Sequence, residues 1–290
     1  MLIPAGHIFG SAQCLLFAGN ETLLYTGDFK LRPGKSAEQA EWRHADTLVM
    51  ETTFGRPRYR FPPTKEVIDQ MVAFCGETID AGEVPVLLGY SLGKAQEILC
   101  SLEGAGLMPM LHGSVYQMTR IYEKFGQSFC KYLRYNGNDV AGKVLICPPS
   151  ANRSKMLEKI PRKRVALISG WAVDPDAVYR YQVDAAFPLS DHADYDDLHR
   201  YVELVQPRRV FTLHGFAAAF ASDLRARGIE AWALSEENQM ELHFAGRDIP
   251  LRPLPTNFGT PPSRRDSTPQ SEFLDFANVG EAIAATLAKL

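Results

Sequence analysis

Five histidine or acidic residues lie beside short apolar runs of this sequence, where they could hold a metal ion or carry out acid–base chemistry. They are His7, Asp28, Glu51, His192 and His214. Imidazole and carboxylate groups suit zinc and manganese, and a histidine paired with a carboxylate can donate a proton near neutral pH. His7 and Asp28 alone would favour a plainer interpretation, a loop histidine and a solvated aspartate. The three further residues favour one shared site.

Short strands and turns must position these residues. The runs Gln13–Phe17 and Thr22–Tyr25 flank the turn Ala18-Gly19-Asn20-Glu21, which predicts a β-hairpin. Open α/β sheets bind ligands at the carboxyl ends of their strands, so residues that follow different strands can face one cleft. The remaining candidates follow the runs Thr47–Met50, Ala185–Leu189 and Val210–Phe211.

The middle of the chain alternates between helical and strand patterns. Thr64–Asp80 has apolar residues at helical spacing, with Thr64 as a candidate cap. Further helices are predicted at Lys94–Glu103 and Val115–Phe125, with strands at Val84–Leu88, Met108–Leu111, Lys143–Cys147 and Arg164–Ser169. This alternation predicts a second, parallel sheet. After Arg180 the patterns predict a return to the first sheet, with strands that include Glu230–Leu234 and Met240–Phe244.

In this order, the motifs PAGHIFGSAQ, YTGDF, ETTFG, SDHADY and the LHG that contains His214 resemble those of the metallo-β-lactamase-fold nucleases with a β-CASP insertion. The resemblance covers about residues 1–245 and extends to RPRYRFPP, GYSLGKAQEIL and ISGW. It is strongest to the bacterial DNA exonucleases associated with ATP-dependent DNA ligases. Each motif alone is weak evidence, whereas the ordered set is specific.

The resemblance implies an α/β fold, namely a metallo-β-lactamase αββα sandwich with an inserted parallel-sheet β-CASP domain. Residues 1–61 would be the first metallo-β-lactamase part, 62–182 the insertion, and 183–248 the return segment with an RNA-specificity-type C-terminal region. Residues 249–270 are rich in proline and predict a linker. A helix predicted over 271–290 resembles the start of a DNA ligase N-terminal domain.

Carried over residue by residue, the resemblance implies a two-metal site. His7 would bind the first ion, Asp28 would bridge both, and His214 would bind the second. His192 would be the general acid or a phosphate contact, and Glu51 would set its orientation and protonation. Zinc is the implied cofactor, with manganese as the alternative. Asp191 and Asp194 flank His192, so either could orient its imidazole or cap the following helix.

The family's dominant metal motif, HxHxDH, does not occur in the sequence. The remaining residues offer each metal one ligand of its own and a shared aspartate, whereas a catalytic zinc ion normally has three protein ligands. We therefore expect weak metal binding and little or no nuclease activity from this chain. We expect a chain shortened at its N-terminus, which lacks the opening strands and exposes a sheet edge. A genuinely non-catalytic homologue is the alternative.

The expected substrate is nucleic acid. Residues 56–60 alternate arginine with other residues around Tyr59, so Arg56, Arg58 and Arg60 could hold phosphates, although a solvated loop is equally compatible. His112 and Lys94 are the candidate contacts in the inserted domain, with a capping or core role as the alternative for His112. The resemblance implies a DNA exonuclease acting in repair with a DNA ligase, separate or fused. An RNA-processing nuclease is the close competitor, and a non-catalytic binding or scaffold module is the alternative outside enzymes.

One motif points to a different enzyme. Gly89-Tyr-Ser-Leu-Gly93 matches the GxSxG pattern of serine hydrolases and lies between a predicted strand and a predicted helix. Asp174 or Asp176, followed by His192 or His214, would complete the order Ser, Asp, His. No HGGG-like oxyanion loop precedes the motif, and this interpretation leaves His7, Asp28 and Glu51 unexplained. We therefore rank the serine hydrolase third.

Composition restricts the class of protein. The chain is 46% hydrophobic and 22% charged, as in globular proteins, and its net charge of −3 argues against non-specific coating of nucleic acid. Its five cysteines are widely spaced without a CxxC motif, which indicates reduced thiols in the cytoplasm. No apolar run reaches the length of a transmembrane helix, so no membrane partner is expected.

Overall fold

Two six-stranded sheets organise the computed structural model, which describes residues 1–234. The strands of the first sheet are β1 (Leu2–Pro4), β2 (Ala12–Ala18), β3 (Glu21–Tyr25), β4 (Thr47–Glu51), β11 (Arg209–Leu213) and β12 (Glu230–Ala233), side by side in that order. The strands of the second are β5 (Val84–Leu88), β6 (Met108–Leu111), β7 (Leu133–Arg134), β8 (Lys143–Cys147), β9 (Lys163–Ile168) and β10 (Ala185–Phe187), in the order β10-β9-β5-β8-β6-β7. The metallo-β-lactamase fold with a β-CASP insertion accounts for both sheets.

Seven α-helices connect these strands. They are α1 (Thr64–Asp80), α2 (Lys94–Ser101), α3 (Gly113–Lys124), α4 (Lys155–Glu158), α5 (Ala177–Tyr181), α6 (Tyr195–Val205) and α7 (Ala217–Ala226) within residues 1–234. The predicted extent of α1 is confirmed, but Thr64 is its first helical residue and Pro63 occupies the cap position. A proline is tolerated at the start of a helix, because backbone N–H groups there have no intrahelical acceptor and its missing N–H costs no hydrogen bond.

The predicted hairpin is confirmed and joins the parallel part of the first sheet. β2 pairs with β3 in antiparallel register, from Cys14 opposite Tyr25 to Ala18 opposite Glu21. β3, β4, β11 and β12 then run parallel to one another. In the β4–β11 pair, Glu51 lies directly opposite Leu213. The residues that follow these two strands therefore emerge at the same edge of the sheet.

The second sheet is parallel throughout its strand pairs, as the alternation of helices and strands predicts. All five residues of β5 are buried, which explains its continuous apolar run. Ala185–Phe187, the first strand of the predicted return segment, pairs with β9 and so lies in the second sheet. A three-residue apolar strand fits either sheet by its sequence, and the predicted domain boundary after residue 182 stays a prediction.

The core of the first sheet also fixes the neighbours of the candidate site. Leu24, Leu48 and Val210 are fully buried between the strands and their covering helices. Phe29, the residue after Asp28, is 0% exposed, and its ring centroid lies 4.4 Å from that of Tyr201 on α6. Packing of the core therefore restricts where Asp28 can lie.

Several predictions concern features outside the site. The five cysteines are free thiols, and Cys75 and Cys147 are buried, in agreement with the expected reduced state. Within residues 1–234, the helices are all too short or too polar to cross a bilayer. The predicted strand Met240–Phe244, the linker 249–270 and the helix 271–290 lie outside the described residues.

Candidate metal and acid–base centre

Three of the predicted residues converge from distant segments. His7 lies between β1 and β2, Asp28 follows β3, and His192 lies between β10 and α6. One candidate ligand atom from each lies within 4.8 Å of the other two. His7 Nε2 is 3.9 Å from Asp28 Oδ2, and the ring centroids of His7 and His192 are 4.6 Å apart. The structure thus gathers two imidazoles and one carboxylate at the edge of the first sheet.

The backbone before His7 requires a glycine. Gly6 has a φ of +75°, and a Cβ atom there would lie 2.5 Å from the carbonyl oxygen of Lys30. This turn of β1 into β2 therefore packs directly against the segment that follows Asp28. Close backbone packing sets the separation of His7 and Asp28.

His7 is held with one ring nitrogen available to a metal ion. Its Nδ1 lies 2.9 Å from the carbonyl oxygen of Asp191, so Nδ1 carries the proton and donates it. Nε2 then keeps its lone pair on the side of Asp28. Burial, followed by the positive charge of His192, lowers the pKa of His7. The neutral imidazole with one nitrogen hydrogen-bonded to a carbonyl is the usual state of a metal-binding histidine.

Glu51 and His192 form a buried acid–base pair. His192 Nδ1 lies 2.9 Å from Glu51 Oε1, and Glu51 also accepts the backbone N–H groups of Thr53 and Phe29 at 2.9 and 3.3 Å. Burial favours the neutral form of Glu51, but the charge of His192 and these donated hydrogen bonds lower its pKa to about 2. The pair is therefore ionic, with a carboxylate that has no exposed surface.

The same pair controls the protonation of His192. Burial disfavours the charged imidazole, but the charge and hydrogen bond of Glu51 outweigh it and raise the pKa of His192 to about 9. The side chain of His192 is 25% exposed, so a substrate can reach the ring. At neutral pH His192 is thus an accessible proton donor.

The donor set fits one metal ion. The unprotonated ligands are His7 Nε2 and the carboxylate of Asp28, and this mixture of nitrogen and oxygen suits zinc or manganese. His192 is protonated at neutral pH and in that form offers no lone pair. Two ligands are fewer than the three that a catalytic zinc ion normally receives from protein.

His214 is not one of the three converging donors. It follows β11 with a φ of +58°, and its carbonyl oxygen accepts a hydrogen bond of 2.7 Å from Thr52 Oγ1. Gly215 also has a φ of +58°, and a Cβ atom there would lie 2.5 Å from Thr53 Cα. The turn of β11 into α7 is packed tightly on the residues after β4. The role of His214 as a second-metal ligand stays a prediction.

The predicted arginines lie over aromatic rings. The guanidinium of Arg56 is 4.3 Å from the ring centroid of Phe216, and that of Arg58 is 4.6 Å from the ring of Tyr59. Both are exposed, and neither forms an ion pair within residues 1–234. Arg60 instead pairs with Asp196 through two bonds of 2.9 and 3.0 Å. Arg56 and Arg58 are therefore the two cations of this segment that remain available to phosphates.

His112 and Lys94, the predicted nucleic-acid contacts of the inserted domain, are engaged within the protein. His112 caps α3 by accepting the Ser114 backbone N–H at 3.2 Å, and burial lowers its pKa. Lys94 is 3% exposed and its Nζ donates to Asp191 Oδ1 at 2.6 Å. A buried ammonium group needs such a partner, which explains why Lys94 faces Asp191 and not solvent. Asp194, the other flanking acid, caps α6 by accepting the Asp197 N–H at 2.9 Å.

The GxSxG serine does not contact the histidines proposed for it. Ser91 Oγ lies 2.8 Å from Ser114 Oγ, while His192 is bonded to Glu51. Within residues 1–234, Ser91 therefore lacks the direct histidine partner that the nucleophile of a serine hydrolase requires; the nearby His112 is bonded to Ser114 instead. Sequence reasoning also missed an aromatic cluster beside the site, in which the Phe54 ring lies 4.7 Å from Trp171 and 6.1 Å from His192. The signal was present in the motifs ETTFG and SGW.

Comparisons with known proteins identify the relatives of this chain. The family described as "Zn-dependent metallo-hydrolase RNA specificity domain" matches residues 181–234. A probable DNA ligase of Opitutus terrae is 54% identical over 288 residues, 98% of this chain and 27% of that protein. Transcription termination factor FttA of Pyrococcus abyssi is 27% identical over 73% of this chain and 43% of its own length. Probable RNase MJ4 of Methanocaldococcus jannaschii is 24% identical over 80% of this chain and 64% of its own length. The chain thus spans less than two thirds of each of these relatives.

Proposed function

Because the chain belongs to the β-CASP metallo-hydrolases of the metallo-β-lactamase fold, we propose that it is the nuclease part of a metal-dependent DNA exonuclease acting beside a DNA ligase. The observation that carries this proposal is the convergence of His7, Asp28 and the Glu51-bound His192. The 54% identity to a probable DNA ligase favours DNA. The names of the other two relatives, a transcription termination factor and a probable RNase, keep RNA as the competing substrate.

The roles of the residues follow from their geometry. His7 and Asp28 would hold the metal ion, with His214 as the candidate ligand for a second ion. Zinc or manganese held by these residues would make a water molecule nucleophilic near neutral pH and would stabilise developing negative charge. His192 would protonate the leaving oxygen from Nε2, since Nδ1 is committed to Glu51. Glu51 is fully buried and acts by keeping the ring oriented and charged.

The proposed path of the substrate backbone leads from this centre to Arg56 and Arg58. Their guanidinium groups lie on Phe216 and Tyr59, whose rings are 5.3 Å apart. The Tyr59 ring lies 5.3 Å from Phe54, which in turn contacts His192. Tyr59 and Phe54 are each 1% exposed, so they support this surface from within and do not stack on bases. We assign the two arginines to phosphates near the scissile bond, because they are exposed cations at the outer side of the cluster that reaches His192.

Metal titration tests the proposed site. We expect isothermal titration calorimetry of the 290-residue chain with zinc or manganese to show weak binding that is lost in His7→Gln and Asp28→Asn. Lys65→Ala is the matched control, because Lys65 is exposed and its ion-pair partner within residues 1–234 is the surface residue Asp69. Binding that survives both site variants would overturn the assignment of ligands.

Matched single-stranded DNA and RNA oligonucleotides test the substrate. We expect the metal-loaded chain to bind DNA more tightly, to cleave it slowly at best, and to lose any cleavage in His192→Gln. Preference for the RNA oligonucleotide would overturn the choice of DNA. A second candidate is a non-catalytic nucleic-acid-binding module, favoured by the small number of unprotonated ligands. Oligonucleotide binding without any metal binding would support that module.

A further inference from the structure

Lys94 links the helices of the second sheet to the histidine site at the edge of the first. It is the first residue of α2. Its Nζ donates to the carbonyl oxygen of Leu189 at 2.7 Å and to Asp191 Oδ1 at 2.6 Å. Both acceptors lie in the segment between β10 and α6 that carries His192. One buried ammonium group thus holds this segment by its backbone and by a side chain.

His7 binds the same segment through a different atom. Its Nδ1 donates to the backbone carbonyl of Asp191, whereas Lys94 binds the carboxylate of that residue. The orientation of the Asp191 carbonyl depends on how the segment is held. Lys94 and His7 are therefore connected through a single residue, Asp191.

A second contact lies directly beside the first. Gly93 has a φ of +82°, and a Cβ atom there would lie 2.1 Å from Ile8 Cγ2. The residue before Lys94 therefore packs on the residue after His7. The two adjacent contacts fix the start of α2 against the turn that carries His7.

From these contacts we propose that Lys94 is a positioning residue for His7. By holding Asp191, it keeps the His7 ring as the Nδ1–H tautomer with Nε2 turned towards Asp28. The inference rests on the proposed role of His7 as a metal ligand. The orientation of the His7 ring can nevertheless be measured in the metal-free chain. Partners of this kind fix the tautomer of a ligating histidine, and their loss typically costs 10- to 100-fold in metal affinity.

A merely structural role makes a different prediction. If Lys94 only neutralised the buried Asp191, its loss would lower the stability of the fold and leave the His7 tautomer unchanged. The readout must therefore be the His7 ring itself. We propose ¹⁵N NMR of the metal-free chain labelled with ¹⁵N-histidine, with the His7 signals among the seven histidines assigned by His7→Gln.

We expect the wild-type chain to show His7 as the Nδ1–H tautomer, and Lys94→Met to show a mixture of tautomers. We also expect Lys94→Met to bind zinc 10- to 100-fold more weakly. Lys143→Met is the matched control, because the Lys143 side chain is 14% exposed and pairs with Asp139, a residue that contacts neither Asp191 nor His7 in the hydrogen bonds and ion pairs of residues 1–234. Its His7 signals should match those of the wild type.

Lys94→Met leaves Asp191 buried without its cation, a change that strongly destabilises folded proteins. The double variant Lys94→Met/Asp191→Asn removes both charges and still lacks the ammonium bond to Leu189. It should remain folded with perturbed His7 signals. Folded Lys94→Met or double-variant protein with wild-type His7 signals would overturn the proposal, as would equal perturbation by Lys143→Met. If the wild-type chain bound no zinc, the proposed function would fail, while the NMR comparison would still decide the role of Lys94.

Discussion

Glu51 Oε1 lies 2.9 Å from His192 Nδ1, although the two residues are 141 positions apart in the chain. Glu51 ends a central strand of the first sheet, and His192 lies in the segment that returns from the second. Formation of this pair therefore reports that both sheets are correctly placed. It also makes the centre a proton donor next to the candidate metal ligands.

The pair predicts a particular dependence of stability on pH in the metal-free chain. The pKa of Glu51 falls from 4.5 to about 2, so its contribution is present above pH 4.5 and is lost as the pH falls towards 2. The pKa of His192 rises from 6.5 to about 9, so its contribution is present below pH 6.5 and is lost as the pH rises through 9. The pair should therefore stabilise the fold most between about pH 4.5 and 6.5.

Glu51→Gln tests this window by urea unfolding in the presence of a chelator. We expect the variant to be less stable by about 3 kcal/mol at pH 5.5. The difference should shrink at pH 9.5, where His192 is neutral in both proteins. An equal difference at the two pH values would show that the ion pair is not the source of the stability.

Removal of the His192 charge should strengthen metal binding. If His192 is a protonated neighbour and not a ligand, His192→Gln eliminates a repulsion and should raise zinc affinity by about tenfold, or ~1.4 kcal/mol. His7→Gln should instead abolish binding. Calorimetry of the two variants at pH 7 separates these roles. Weaker zinc binding by His192→Gln would show that its imidazole ligates the ion.

The exposed arginines should dominate the electrostatic part of DNA binding. We expect Arg56→Ala and Arg58→Ala each to weaken binding to a single-stranded oligonucleotide and to reduce the slope of log K against log salt by about 0.7. Arg60→Ala should change both quantities little, because Asp196 already neutralises Arg60. Fluorescence anisotropy at several salt concentrations measures these slopes. An effect of Arg60→Ala as large as that of Arg56→Ala would contradict the assignment.

Two glycines with similar dihedral angles should tolerate alanine very differently. Gly19 and Gly215 have φ values of +59° and +58°, but only Gly215 would place a Cβ atom against backbone, 2.5 Å from Thr53 Cα. We expect Gly19→Ala to cost about 1 kcal/mol of unfolding free energy, from backbone strain alone. Gly215→Ala should cost at least about 3 kcal/mol, because the clash adds to that strain. Urea unfolding of both variants tests this, and equal costs would contradict the tight packing of the His214 turn.

Much of the fold was accessible from the sequence because apolar periodicity marks each long element. The extents of α1, β5 and β8 agree with the predicted ranges, and the ordered motifs indicated the fold. Short elements such as β1 and β7 carry too few residues for a pattern. The three-residue strand β10 was assigned to the return segment for the same reason.

The sequence indicates residues of the candidate site only where the side chain itself carries the chemistry. His7, Asp28, Glu51 and His192 are recognisable by residue type and by their position beside strands. The bond from His7 to Asp191 uses a backbone carbonyl, which every residue possesses, so residue types do not indicate it. Lys94 was predicted to contact nucleic acid, but it is buried, and its pair with Asp191 depends on the packing of two sheets.

The contact of Phe54 with both Trp171 and His192 gives the centre an intrinsic optical probe. Indole emission responds to nearby charged imidazoles and to stacked nucleobases, and Trp171 is half-buried within the cluster. Of the other two tryptophans, Trp42 lies in the connection between β3 and β4, and Trp232 lies on β12. Replacing both by phenylalanine would leave a chain whose fluorescence monitors arrival of an oligonucleotide at the centre without any attached dye.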